Sequence, residues 1–248
     1  MKFSALILAL SLGTFSIASA DDGLFSKKIL FGDLHVHTTY SFDANLYSLP
    51  TFGDDGEHPP EDACNFARYC SKLDFFSLND HGESYTADLW TKTKDAARKC
   101  DAKFATPNGP ELLTFVGWEW TQVGDKPETH FGHRNIVFAG TADKELPSRP
   151  IGALKGGETV NPFERYFAGG LRPFRYWGPF CRLFDVVSQM GDLATQDQCP
   201  EGVEEWQLPE GCRQNIPELH QLYKKLNQVT GGDYLAIPHG TAWGTYSP

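Results

Sequence analysis

The pattern of hydrophobic and polar positions predicts alternating strands and helices along most of the chain. Short apolar runs bounded by turn residues are typical of buried strands, and apolar positions three and four residues apart are typical of helices. The predicted strands cover residues 29–31, 73–78, 111–120, 136–139 and 233–237. The predicted helices cover residues 60–71, 87–100 and 217–230. This order indicates an α/β fold with a largely parallel sheet.

The first predicted helix shows the clearest one-sided pattern. Pro60 opens it, and its apolar residues recur at the i, i+3, i+4, i+7 spacing of one buried face. These residues are Ala63, Phe66, Ala67 and Cys70. We therefore expect all four to face the core.

Two stretches lack a clear period. Residues 45–60 are dense in Pro, Gly and Asp, which is typical of a loop. Residues 140–215 are rich in Gly, Pro and aromatic side chains. Because so long a structureless stretch is uncommon in a compact domain, we expect an insertion with short helices that covers the functional site.

The first twenty residues have the layout of a secretory signal peptide. Lys2 precedes an apolar run over residues 5–12, and Ala18-Ser19-Ala20 forms a small-x-small cleavage site. We therefore expect an exported protein, periplasmic or secreted, whose folded domain spans residues 21–248. The rest of the sequence has no apolar run long enough for a membrane span, so none is expected.

Composition narrows the range of partners and the redox environment. The chain is acidic, with a net charge of −10, which disfavours binding to nucleic acid. Its six cysteines, an even number in an exported chain, predict disulfides. Cys199 and Cys212 bracket a loop and form the best local pair. No CxxC motif occurs, so a thiolate zinc site is disfavoured.

Candidate chemistry is concentrated where predicted strands end. His35 and His37 follow the first strand and, being two residues apart, share one face. His81, Glu119 and His239 end later strands, whereas His133 precedes one. The carboxyl ends of parallel strands meet at one edge, where ligands bind. We therefore expect a shared site with mixed nitrogen and oxygen ligands, suited to Zn²⁺, Mn²⁺ or Fe²⁺.

Two or three such cations would lower the pKa of water and supply a hydroxide nucleophile. They would also neutralise phosphoryl oxygens. This chemistry needs no serine or cysteine nucleophile, and the sequence contains neither a GxSxG motif nor a Walker loop.

An ordered set of motifs resembles a known superfamily. FGDLHVHTTYSFDA, LNDHG, the Glu of GWEW, GHRNIVF and IPHG are similar, in that order, to motifs of the PHP (polymerase and histidinol phosphatase) superfamily. They look closest to its exported branch, catalogued as a domain of unknown function. The resemblance implies a distorted (β/α)7 barrel with a trinuclear metal centre. The implied ligands are His35, His37, Asp43, His81, Glu119, His133 and His239.

The resemblance also implies supporting roles. Glu119 would be the bridging carboxylate, and Asp33 and Asp80 would orient imidazoles, with turn and cap chemistry as their alternative. Arg134, next to His133, would clamp a phosphate oxygen, with a structural salt bridge as its alternative.

One departure from the superfamily concerns the end of the chain. The superfamily closes its site with a late Asp-x-His pair after a further strand, whereas this sequence stops at Pro248. Five predicted strands are also fewer than a seven-stranded barrel requires. We therefore expect an incomplete barrel, the front part of a longer protein.

The remaining histidines and two tryptophans have simpler interpretations. His58 and His220 are expected to be solvated, and His130 is an alternative to His133 as a ligand. Trp118 and Trp120 are expected to pack in the core.

Three functions remain after this reasoning. The leading one is a metal-dependent phosphoesterase acting on a small phosphorylated molecule. An amidohydrolase-type C–N or C–O hydrolase also opens with HxH, but that family expects a lysine after a middle strand, and no lysine ends a predicted strand here. The third is a non-catalytic scaffold that binds metal or a ligand.

Overall fold

A curled sheet of five strands, shaped like half a barrel, forms the centre of this mixed α/β fold. The computed structural model describes residues 28–41, 43–44, 58–123, 126–153, 197–204 and 207–242. The strands within these residues are β1 Gly32–Val36, β2 Phe75–Leu78, β3 Leu113–Gln122, β4 Gly132–Phe138, β5 Ile151–Gly152, β6 Gln214–Asn215 and β7 Tyr234–His239. The α-helices are α1 Pro60–Asn65, α2 Ala87–Phe104 and α3 Leu219–Thr230. Short 3-10 helices cover Gly82–Ser84, Pro127–Thr129 and Asp143–Glu145.

The main sheet has the strand order β1-β2-β3-β4-β7. Strands β1, β2 and β3 are parallel, as predicted. Strand β4 is antiparallel to both of its neighbours, β3 and β7. Strands β1, β2, β3 and β7 therefore run in the same direction, as predicted, and the prediction of a largely parallel sheet is wrong only for β4. The sheet is mixed because β4 follows β3 through a short connection, which returns the chain in the opposite direction.

The outer face of the sheet carries the hydrophobic core. Trp118 and Trp120 on β3 are completely buried there, as predicted. The Trp118 ring packs edge-on against Trp90 of α2 at a centroid distance of 5.8 Å. The Trp120 indole donates a hydrogen bond of 3.0 Å to the Ile216 carbonyl, which satisfies its buried N–H. Most of the hydrophobic driving force thus acts on this face, which leaves the inner face for polar groups.

Strand β1 begins later than predicted. The predicted strand at residues 29–31 is wrong, and the side chains of Ile29, Leu30 and Phe31 are exposed. Pairing with β2 starts only at Gly32, which lies opposite Phe75. The Phe31 carbonyl accepts a hydrogen bond of 2.7 Å from the Asp74 amide, but the ladder between β1 and β2 does not extend to residues 29–31. The other four predicted strands and all three predicted helices overlap observed elements.

Helix α1 has a different phase from the predicted one. It continues as a π-helical turn over Phe66–Cys70, and the wider turn rotates the later side chains. Phe66 and Cys70 are exposed, whereas Cys64 and Ala67 are buried. The predicted buried face is therefore wrong at Phe66 and Cys70.

Helices α2 and α3 match their predictions more closely. The Thr86 hydroxyl caps α2 by accepting a hydrogen bond from the Leu89 amide. Helix α3 ends at Thr230, and Gly231 follows in the left-handed conformation (φ 68°) that favours glycine.

Two disulfides connect elements of the described chain. Cys199 is bonded to Cys212, as predicted, and Cys64 of α1 is bonded to Cys100 of α2. Cys70 is exposed and forms no disulfide with another described residue. Cys181 lies outside the described residues.

Several predictions concern residues that the structure does not describe. These are the signal peptide over residues 1–20 and most of the insertion over residues 140–215. Among the described residues, no helix combines the length and apolarity needed to cross a bilayer.

Candidate metal centre

Among the residues that the structure describes, seven polar side chains meet at one edge of the half-barrel sheet. They come from all five strands or the residues directly after them, and from the loop after β1. They form three groups, and in each the ligand atoms lie within 4.8 Å of one another. The groups are His35–His37–Glu119, His37–Asp43–His81 and Glu119–His133–His239. These are the seven residues that the family resemblance implied as ligands.

Strand β1 delivers two imidazoles because its side chains alternate. Nε2 of His35 and Nε2 of His37 lie 3.0 and 2.8 Å from the same oxygen, Oε2 of Glu119. Val36, between them, packs against the hydrophobic core. The common face predicted for the two histidines is therefore observed.

The reversed direction of β4 brings His133 to the same edge. His133 is the second residue of β4 and pairs with Thr121 of β3 and His239 of β7. An antiparallel strand presents its amino end where its neighbours present their carboxyl ends. A histidine that was predicted to precede its strand thus reaches the site.

Glu119 connects two of the groups through its two carboxylate oxygens. Oε2 faces the imidazoles of β1, as described above. Oε1 lies 2.9 Å from Nε2 of His239 and also contacts Nδ1 of His133. The side chain is only 3% exposed. Each oxygen therefore points at two imidazole nitrogens, which is the arrangement of a carboxylate that bridges two cations.

The spacing of these atoms fits the coordination of a transition-metal ion. Ligands about 2.1 Å from a shared cation lie about 3.0–3.4 Å apart for angles of 90–110°. In the first group the ligand atoms lie 2.8–3.0 Å apart. A small increase in these distances is all that binding would require.

The second group is built around Asp43 and shares His37 with the first. Oδ1 of Asp43 lies 3.2 Å from Nδ1 of His37, and Oδ2 lies 3.3 Å from Nε2 of His81. A neutral imidazole has one free lone pair, so His37 serves one group at a time. Two cations can therefore bind without competition for ligands, and a third would have a poorer ligand set.

Charge in the site is strongly coupled to protonation. Burial opposes protonation of His37, but hydrogen bonds to Asp43 and Glu119 outweigh it and raise the pKa of His37 to about 10. Burial likewise opposes ionisation of Glu119, but hydrogen bonds from His133, His35 and His37 hold its pKa well below its usual range. Protons and cations therefore compete for these imidazoles, and metal affinity should fall as pH falls.

The solvent exposure of the candidate ligands differs between the two sides of the site. The His81 side chain is 6% exposed, whereas those of His35 and His239 are 40% and 32% exposed. The rings of His35 and His239 are neighbours, with centroids 4.5 Å apart. Solvent and ligands therefore reach the site from the side of β1 and β7.

The two aspartates predicted to orient imidazoles contact other groups. Asp33 is exposed, and its carboxylate accepts a hydrogen bond from the backbone amide of His35 at 2.9 Å. Asp80 is buried and accepts hydrogen bonds from the amide and hydroxyl of Thr38 and from the hydroxyl of Tyr85. Burial raises the pKa of Asp80 despite these bonds. Both residues thus show the turn and cap chemistry that was their alternative, and Asp80 anchors the loop after β1.

The role predicted for Arg134 is not supported by its position. Arg134 pairs with Trp120 and Pro238, so it lies on the outer face, opposite His133 and Glu119. Its Nη1 donates to the carbonyls of Phe131 and His133, each at 2.7 Å. Strand alternation turns this side chain away from the site, so its position does not support the predicted phosphate clamp.

The other histidines lie outside the three groups. His130 is buried, and its Nε2 lies 3.1 Å from the carbonyl of Gly240, so His133 and not His130 joins the cluster. His58 and His220 are exposed, as predicted.

Thr121 and Glu83 are among the polar residues near the site that were not predicted from the sequence. Thr121 follows Glu119 by two residues, so the period of a strand places both on one face. Glu83 lies in a 3-10 turn after His81, and its side chain is 12% exposed. Periodicity could have indicated Thr121, whereas no regular spacing indicated Glu83.

Comparison with known proteins identifies a matching family model. It is described as "Protein of unknown function (DUF3604)" and matches residues 25–83, a segment that includes His35, His37, Asp43 and His81. No curated protein and no solved structure matches the chain.

Proposed function

We propose that this chain forms the centre of a metal-dependent hydrolase that acts on small phosphoesters. The observation that carries the proposal is the position of Glu119, whose two oxygens each face two imidazole nitrogens. Five imidazoles and two carboxylates offer the mixed ligand set that Zn²⁺, Mn²⁺ and Fe²⁺ favour. We propose two tightly bound cations and a third that binds more weakly.

The resemblance to the PHP superfamily extends the proposal to the fold. The half-barrel sheet and the ligand set at its edge would belong to a distorted (β/α)7 barrel of that superfamily. The order of the motifs along the sequence supports this assignment. The signal-peptide layout of residues 1–20 supports export to the periplasm or the medium.

The residues would divide the work as follows. Bound divalent cations would supply Lewis acidity, which activates water and offsets the charge of phosphoryl oxygens. Glu119 holds two ligand groups at a fixed separation. His35 and His239 form the exposed side, where a substrate can approach. Asp80 fixes Thr38 and thereby the loop that carries Asp43.

The decisive experiment combines metal analysis with a substrate panel. The purified chain is loaded with Mn²⁺, Zn²⁺ or Fe²⁺, and release of phosphate or alcohol is measured on phosphate monoesters and diesters. We expect two or three cations per chain and hydrolysis that is abolished by a chelator and restored by metal.

Other outcomes would replace this function. Bound metal with hydrolysis of amides or carboxylic esters, but of no phosphoester, would favour the amidohydrolase type of chemistry. Bound metal without turnover on either panel would favour a binding scaffold. Absence of bound metal in all conditions would overturn the proposal altogether.

A further inference from the structure

Thr121 contacts two candidate ligands without belonging to their groups. Its Oγ1 lies 2.8 Å from Nδ1 of His81 and 3.3 Å from Nδ1 of His133. These two histidines belong to different groups, one with Asp43 and one with His239. A single hydroxyl thus touches two parts of the proposed centre.

The contact with His81 has a direct consequence for metal binding. Nε2 of His81 faces the carboxylates, 3.3 Å from Oδ2 of Asp43 and 3.7 Å from Oε2 of Glu119. An imidazole that binds a cation through Nε2 carries its proton on Nδ1, and a hydrogen-bond acceptor at Nδ1 stabilises that tautomer. The Thr121 hydroxyl supplies this acceptor.

We propose that Thr121 is a positioning residue that holds His81 with its proton on Nδ1 and its Nε2 lone pair towards the cation. The inference rests on the proposed metal centre. The Thr121 hydroxyl, on the same strand as Glu119, would select the tautomer and the ring orientation of His81.

Glu83 is the competing candidate for this role, and distance decides between the two. Oε2 of Glu83 lies 3.9 Å from Nδ1 of His81, beyond hydrogen-bond range. Oε1 of Glu83 accepts hydrogen bonds from the backbone amides of Ala153 at 2.9 Å and of Thr121 at 3.4 Å. Glu83 therefore holds the backbone of Thr121, and Thr121 contacts the imidazole.

The test compares two substitutions at one position. Thr121→Val keeps the branched shape and the strand preference but removes the hydroxyl, whereas Thr121→Ser keeps the hydroxyl. The affinity for Zn²⁺ and Mn²⁺ is measured by competition with a chromogenic chelator. We expect about 10–100-fold weaker binding of at least one cation in Thr121→Val, and affinity close to that of the unmodified protein in Thr121→Ser.

Thr114→Val is the matched control, because Thr114 is buried on the same strand, far from the site. It should bind metal like the unmodified protein. Equal affinities in Thr121→Val, Thr121→Ser and the unmodified protein would overturn the positioning role and leave the metal centre intact. An equal loss of metal affinity in Thr121→Val and Thr114→Val would overturn it as well, since the loss would then come from a general disturbance of β3. Failure of the unmodified protein to bind either cation would overturn the metal centre itself.

Discussion

Glu119 is buried, and yet its pKa lies well below its usual range. An ionised carboxylate away from water is costly unless it is paired. Here four imidazoles from three strands surround it. A buried carboxylate in this position is tolerated only because the imidazoles pair with it. Its role is therefore to hold a negative charge at the edge of the sheet.

Replacement of Glu119 should remove cations from two groups at once. Glu119→Gln keeps the shape, but an amide has one oxygen and one N–H donor group, so it cannot bridge. We expect at least one cation fewer per chain by elemental analysis after desalting. His239→Asn changes only one group and should lose less.

Glu111→Gln is the control for this substitution, because Glu111 is exposed and paired with Arg68, away from the site. It should retain the full metal content. A Glu119→Gln protein with as many cations as the unmodified chain would refute the bridging role.

At the scale of elements, a disulfide joins the first two helices. Cys64 of α1 and Cys100 of α2 are 36 residues apart and both are buried. A crosslink over a loop of this length restricts the unfolded chain and contributes about 3–4 kcal/mol to stability. The double substitution Cys64→Ala with Cys100→Ala should lower the free energy of unfolding in urea by about that amount.

Cys70→Ala is the control, since Cys70 is exposed and forms no disulfide within the described part of the chain. Its effect should be within about 0.5 kcal/mol. If the double variant unfolded at the same urea concentration as Cys70→Ala, the crosslink would contribute nothing.

Ion pairs join α2 to the turn after β4 and should make the stability of the fold depend on pH in the acidic range. Asp143 lies 2.8 Å from Nζ of Lys94 and 2.7 Å from Nη2 of Arg98, and hydrogen bonds to both lower its pKa to about 2. A carboxylate with a lowered pKa stabilises the fold above its unfolded value of about 3.9. That contribution is lost as the pH falls from about 4 to about 2.

Asp143→Asn should therefore destabilise the protein at pH 6 and have no effect near pH 2. Because the Asp143 side chain is 69% exposed, the loss should be at most about 1 kcal/mol. Urea unfolding at the two pH values measures it. Asp233→Asn, at an exposed position in the turn before β7, should show no such pH dependence; a similar curve for both variants would contradict the role of the ion pairs.

At the scale of the whole molecule, the candidate ligands link every strand of the main sheet. A cation that binds them stabilises the folded chain and not the unfolded one. At a free concentration one hundred times its dissociation constant, one cation contributes about 2.7 kcal/mol. This corresponds to an increase of about 5–10 °C in the melting temperature for a domain of this size.

Thermal unfolding with added Zn²⁺ or Mn²⁺, compared with unfolding in a chelator, measures this linkage. The increase should be smaller in Glu119→Gln, which keeps the fold but has a poorer ligand set. Identical melting temperatures with metal and with chelator would contradict a centre that spans the sheet.

The sequence by itself determined most elements, because these follow from local rules, and it implied the full set of candidate ligands through the resemblance of its ordered motifs to a known family. Spacing of two placed His35 and His37 on one face, and a glycine pair marked the end of α3. The short loop between Cys199 and Cys212 made their pairing predictable. Local periodicity therefore defines which side chains of one segment lie on the same face.

Only the tertiary structure decided how the segments face one another. The reversal of β4 placed His133 in the site and turned Arg134 to the outer face, whereas the sequence pattern had begun that strand at Ile136. Cys70, at the end of the π-helical turn after α1, is exposed, although the helical period had assigned it to the core. Strand direction and helix phase depend on pairing with distant residues, so a pattern read within one segment does not contain them.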